Sequence, residues 1–154
     1  MTAPSVPRTA AAPGVSLAEA NIATFRRAIE EGWSRGDAAV INELFAPDFV
    51  EHQAGIKPGR AGVIGASQAL HAGFPDLRLT VEDVSATGDM VWARLRGTGT
   101  HEGPFQGAPA TGRRIEITVI DVARIVDGRL VEHWGVADRL SLLQQIGFAP
   151  VVPR

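Results

Sequence analysis

Apolar positions recur at two different periods along this chain of 154 residues, and the change of period divides it. In the first half Ile22, Phe25, Ile29 and Trp33 fall three or four apart, which places them on one stripe of a helix. Ser16-Leu17-Ala18-Glu19 has the spacing of a capping box at its start, and Gly36 is a fitting stop. Asp37 can cap a second, short helix holding Val40, Ile41, Leu44 and Phe45 and ending before Pro47. Pro58–Gly73 predicts a third, with Val63, Ile64, Ser67, Leu70 and His71 along one side.

Beyond residue 76 the period shortens to two. Leu77–Val84, Met90–Thr100, Ile115–Val126 and Leu130–Ala137 are rich in branched residues and read as strands. Gly88-Asp89 and Asp127-Gly128 supply tight turns, and a Gly/Pro-rich connection covers Glu102–Arg114. Phe49–His52 reads as a short extra strand, and Leu140–Ile146 as a last helical turn or two capped by Asp138. Helices followed by antiparallel strands define an α+β domain. A strongly curved sheet must have its concave side filled, and the early helices can do this. The resulting cone encloses either solid packing or a pocket.

Residues 1–15, broken by Pro4, Pro7 and Pro13, predict a disordered leader; 16–148 form one domain and 149–154 a loose tail. No apolar run approaches the roughly 18 residues of a membrane span, and the leader lacks the unbroken apolar core of a secretory signal. The chain is therefore expected in the cytoplasm. With 15 Lys+Arg against 17 Asp+Glu, the net charge of −2 offers no footprint for nucleic acid or an anionic membrane. Zero cysteines exclude disulfides, thiolate metal sites and a thiol nucleophile. H-E-x-x-H and G-x-S-x-G are absent, and Gly59–Gly65 lacks the Gly-Lys-Ser/Thr ending of a phosphate loop. No metal site is expected.

The chemistry concentrates at one place. On the strand after the long connection, Ile115, Ile117, Val119, Asp121, Ala123 and Ile125 share a face, and Asp121 is its only polar member. Burial among aliphatic side chains disfavours a charged carboxylate and would push its pKa up from about 3.9, the usual way of making a general base or acid. The competing reading is a structural Asp, held by backbone amides or an Arg, or turned to solvent by a bulge.

Arg94 could reach the cavity to hold Asp121 or a substrate oxygen, although strand parity sets it on the opposite face with Trp92 and Arg96. His52 and His101 end strands, where polar site groups collect, and either could carry protons. His71 is better explained as a partner of a helix C-terminus, and Asp138 as a cap. His133, beside Glu132, can face either way. Trp33, Phe74, Phe105 and Trp134 read as core or pocket wall.

Several of these segments carry a family resemblance. Trp33-Ser34-Arg35-Gly36-Asp37, Leu44 through Glu51-His52, Phe74-Pro75-Asp76-Leu77-Arg78 and Gly99 through Phe105 contribute to it. So do Pro109-Ala110-Thr111-Gly112-Arg113, Ile120-Asp121 and Glu132 through Asp138. Together, over about residues 20–147, they resemble the SnoaL-like polyketide (ester) cyclases.

The resemblance implies an NTF2-like cone, a curved antiparallel sheet wrapped around helices and a deep apolar pocket, usually in homodimers or higher oligomers. It also implies cofactor-independent intramolecular aldol closure of an aromatic polyketide ester, with Asp121 at the position of the family's acid/base residue. Where some members carry a His, this chain has Gln106-Gly107-Ala108, so Gln106 or His101 would supply that contact. The substrate expected is a small, apolar carbonyl compound, bound by Trp33, Phe74, Arg94, Phe105, Gln106 and Trp134, with His52 and His101 assisting Asp121. Alternatives in the same pocket are an isomerase, an epoxide-hydrolase-like trio of Asp121, Arg94 and Asp138, or a non-catalytic protein that holds a small ligand.

Overall fold

Ser16 opens the first helix as its spacing requires. Its hydroxyl accepts from the Glu19 amide at 3.2 Å while the Glu19 carboxylate accepts from the Ser16 amide at 2.8 Å. The computed structural model describes residues 14–149, so the leader and tail expected at the two ends fall outside the described residues except for Gly14, Val15 and Ala149. Helix α1 (Leu17–Arg27) does not run unchanged to Gly36 but passes into a π-helical stretch, Ala28–Trp33. Successive steps of four drift by about 40° around an α-helix. The wider π turn offsets that drift and keeps Ile29 and Trp33 buried below Phe25.

Asp37 caps α2 (Ala38–Leu44), accepting from the amides of Ala39 and Val40. Phe45, expected inside this helix, instead has extended backbone and begins β1 (Phe45–Glu51) with no loop between. Pro47 is tolerated there because β1 lies at a sheet edge, where a missing N–H breaks no central ladder. Helix α3 (Gly59–Gly73) follows, and His71 near its end serves a helix terminus other than its own. Its Nε2 donates to the Trp33 carbonyl at 3.0 Å, at the end of the π stretch. Gly36, with φ of +68°, makes room for it: a Cβ there would stand 2.9 Å from the imidazole.

Strands β2 (Arg78–Thr87), β3 (Met90–Thr100), β4 (Arg114–Val126) and β5 (Arg129–Ala137) form an antiparallel meander. The sheet is curved and unclosed, in the order β1-β5-β4-β3-β2. It is mixed rather than wholly antiparallel, because β1 pairs with β5 in parallel. Helix α4 (Arg139–Gln145) closes the domain, its Asp138 cap accepting from the Ser141 amide at 2.9 Å.

The concave face packs against the helices in one large cluster, which includes Phe25, Ile41, Phe45, Val63, Leu95 and Ile125. A smaller cluster, with Phe74, Leu77, Ile115 and Leu142, fills one end. Among the described residues no helix is long and apolar enough to cross a membrane.

Candidate active site

The cone is not solidly packed. A cavity of about 390 Å³ opens where the two clusters meet, within the usual size of a small-molecule pocket. The π stretch supplies Ile29 and Trp33, α3 supplies Ala66, Ala69 and Leu70, and the sheet supplies Leu79, Leu95, Ile115, Ile117 and Val119. Phe74, Phe105 and Leu142 close one side. The wall is apolar except for Gln53, Gln106, Asp121, His133 and Arg139.

Gln106 reaches the cavity from a tight hairpin turn. Phe105 and Ala108 exchange two backbone hydrogen bonds of 2.9 Å, and Gln106 and Gly107 between them have φ of +48° and +84°. Positive φ at both central residues is the type I′ signature, and a non-glycine held there stores strain. The Arg139 guanidinium lies over Gly55, where a Cβ would meet it at 2.8 Å.

Asp121 points inward as the alternation on β4 requires and is only 4% exposed. Behind it stands a buried chain of charged groups. His133 Nε2 lies 3.4 Å from Asp121 Oδ1, an ion pair longer than a full hydrogen bond. The other ring nitrogen, Nδ1, donates to Glu51 at 2.8 Å. The Glu51 carboxylate also accepts from the Gln53 amide at 2.8 Å, and its side chain is 1% exposed.

Burial of His133 works against its positive charge, but Asp121 and Glu51 outweigh it and push its pKa up to about 9. Among the described residues no donor completes a hydrogen bond to Asp121 Oδ1. Gly135, opposite Asp121 across the β4–β5 ladder, leaves space for this arrangement. A Cβ there would fall 2.8 Å from Asp121 Oδ1 and 2.1 Å from the Gln53 carboxamide oxygen.

The structure thus gathers Trp33, Phe74, Phe105, Gln106 and Asp121 around one cavity, as expected. Four other expected contacts do not line it. Arg94 lies on the outer face, where its guanidinium pairs with Glu82 and, at 2.6 Å, with Asp83. A bulge between Val81 and Asp83 brings both acids to the same arginine. Without Arg94 inside, and with Asp138 engaged as a helix cap, the epoxide-hydrolase-like trio does not assemble.

His52 also points outward. It stacks on Trp134 at a centroid separation of 4.8 Å and bonds Glu132 at 2.8 Å. His101 is fully buried but off the cavity, its Nδ1 on the Thr111 hydroxyl at 2.9 Å and its ring against Phe74.

Sequence alternation does not bring Glu51 and His133 to Asp121, and the reason is local. Arg124 pairs with Glu132 while Ile125 pairs with Leu130, so Val131 is bulged out of register. Counting alternation from Leu130 therefore assigns His133 to the wrong face. A signal existed all the same: the dipeptide Glu-His occurs at 51–52 and again at 132–133.

An α+β cone with one buried acid facing an apolar cavity defines a class of small pocket proteins, and the sequence comparisons narrow it. Residues 23–146 match the SnoaL-like polyketide cyclase family, to which the chain belongs, and membership makes it an enzyme of the cyclase type. It is 30% identical over 108 residues to aklanonic acid methyl ester cyclase DauD of Streptomyces sp. (strain C5), spanning 70% of this chain and 67% of that protein. The similar DnrD of Streptomyces peucetius, also an aklanonic acid methyl ester cyclase, is 30% identical over 105 residues, with 68% and 72% covered. Among solved structures, IdmH of Streptomyces antibioticus superposes with a TM-score of 0.73 at 39% identity, covering 82% of this chain and 98% of that one. The fold is the NTF2-like one of these cyclases.

Proposed function

We propose that this protein closes a ring in an apolar polyketide ester by an intramolecular aldol reaction, with Asp121 as the general base. The observation that carries this reading is a buried carboxylate in the wall of an apolar cavity, with the His133 imidazole 3.4 Å from its Oδ1. Asp121 takes the proton from the carbon between or beside carbonyl groups. The carbon–hydrogen electron pair becomes an enolate, whose carbon attacks a second carbonyl of the same molecule. One carbon–carbon bond forms, the attacked carbonyl π bond breaks, and the alkoxide recovers the proton from Asp121. Product and substrate are isomers, so no co-reactant is consumed.

The cavity contributes by folding the substrate until the two reacting carbons meet, and apolar walls of Trp33, Leu95, Ile117 and Phe105 suit an aromatic or polyene body. Oxygens at the substrate's polar end can take hydrogen bonds from Gln53, Gln106 and Arg139, the polar groups that line the cavity besides Asp121 and His133. These replace His52, His101 and Arg94 as donors for the developing oxyanion. The reading includes a homo-oligomer packed through the outer sheet face, where Trp92 is 54% and Val136 72% exposed, to be checked by light scattering.

The test is direct. Aklanonic acid methyl ester, the substrate named for two relatives, is incubated with the purified protein and its Asp121→Asn variant. A new chromatographic peak of unchanged mass, formed by the wild type and lost in the variant, is the expected result. Equal turnover by both would overturn the role of Asp121.

A further inference from the structure

We infer that Glu51 and His133 are the positioning pair of this site: Glu51 fixes the imidazole, which as a cation aims the Asp121 carboxylate and balances its charge. The inference rests on Asp121 being the base. Its physical ground is the geometry of the three groups. A carboxylate buried among aliphatic side chains needs a counter-charge, and among the described residues the ion pair it makes is with His133 rather than with an arginine or lysine. The imidazole does so across 3.4 Å, and Glu51 holds its far nitrogen at 2.8 Å.

Glu51 has a second consequence. When Asp121 takes the substrate proton, the negative charge moves to the enolate in the cavity. His133 and Glu51 remain a neutral pair, so no buried cation is left uncompensated during the step. A site with Asp121 and His133 alone would create one.

The groups facing His133 make its titration specific to this chain of charges. Glu51 faces it from β1 and Asp121 from β4. On β5 itself Glu132 points to the opposite face, where it is held by His52 and Arg124. Helix α3 presents Ala66, Ala69 and Leu70 to the cavity, and α4 presents Arg139 and Leu142. The loss of the imidazolium proton, near pH 9, therefore sets the alkaline limb of activity.

The test uses Glu51→Gln, which retains the shape and the acceptor for Nδ1 but removes the charge. Two readouts are taken: the pH profile of kcat/KM, and the imidazole titration of His133 by nitrogen-resolved NMR in the protein without substrate. Wild type is expected to titrate near 9. In Glu51→Gln both the His133 titration and the alkaline limb should move acidward by about 1–3 pH units, the effect of one adjacent opposite charge. At neutral pH kcat should fall while KM holds.

A merely structural Glu51 would lower the melting temperature and leave the pH limb in place, which overturns the inference. An ordinary neutral-range titration of His133 in the free wild type overturns it too, without touching the role of Asp121. Undiminished turnover by Asp121→Asn overturns the reading beneath both. Should Glu51→Gln not fold, Glu51→Asp must restore the titration and part of kcat together.

Discussion

The end of β1 with the residue that follows it, and β5, carry the same two residue types on both faces of the sheet, and the two copies behave differently. Inside, Glu51 holds His133 at 2.8 Å with side chains 1% and 6% exposed. Outside, Glu132 holds His52 at the same 2.8 Å with side chains 28% and 38% exposed. The parallel register that sets Glu51 beside His133 places His52 and Glu132 together on the other face. The outer pair sits in water, shares Glu132 with Arg124, and has little to gain from its attraction. The inner pair has lost its hydration, so each charge depends on the other and on Asp121. Distance alone says nothing about the worth of an ion pair; the surrounding medium decides it.

Breaking the inner set should therefore cost far more than breaking the outer one. The largest effect is on catalysis. Asp121→Asn should lower turnover about 10²–10⁴-fold with the fold retained, measured as rate of ring closure together with circular dichroism. Next comes stability: His133→Ala strands two buried carboxylates and should destabilise by about 3–5 kcal/mol in denaturant unfolding.

Gly135→Ala tests the space beside the acid. The added Cβ must displace Gln53 and Asp121, whose side-chain ends can move, so kcat should fall by up to about 10²-fold with a much smaller change in melting temperature. His52→Ala and Arg94→Gln, on the outer face, should each change unfolding free energy by less than about 1 kcal/mol and leave turnover unaltered. An outer variant as damaging as an inner one would erase the contrast.

The pH dependence of stability sharpens the same comparison. His133 is raised from 6.5 to about 9 in the folded protein, so folding favours its protonated form. Its contribution is fully present below about pH 6.5 and is lost as pH rises through about 9. Melting temperature should decline across that window in the wild type, and less in Asp121→Asn, which has given up one of the two stabilising carboxylates.

What could be read in the chain followed the strength of local signals. Ser16, Asp37 and Asp138 act as caps because capping is settled within four residues. Asp121 could be assigned to the cavity because β4 keeps unbroken alternation from Ile115 to Ile125. His133 could not, since one bulged residue reverses the parity of everything after it. His52 is a candidate by residue type, and it lies one residue from Glu51, which the register turns inward onto His133. Helix α2 stops two residues short of the break expected before Pro47, because Phe45 already has the extended backbone that begins β1.

Sequence by itself therefore determined the order of helices and strands, the helix caps, the inward face of β4 and the family. Periodicity, turn chemistry and motif all act over a few neighbouring residues. Only the tertiary structure decided that Glu51, His133 and Asp121 form one buried chain of charge, that Arg94 faces water, and that the cone holds a cavity. Those outcomes depend on strand register and on which face of the sheet is covered, and both are settled between segments as much as 82 residues apart.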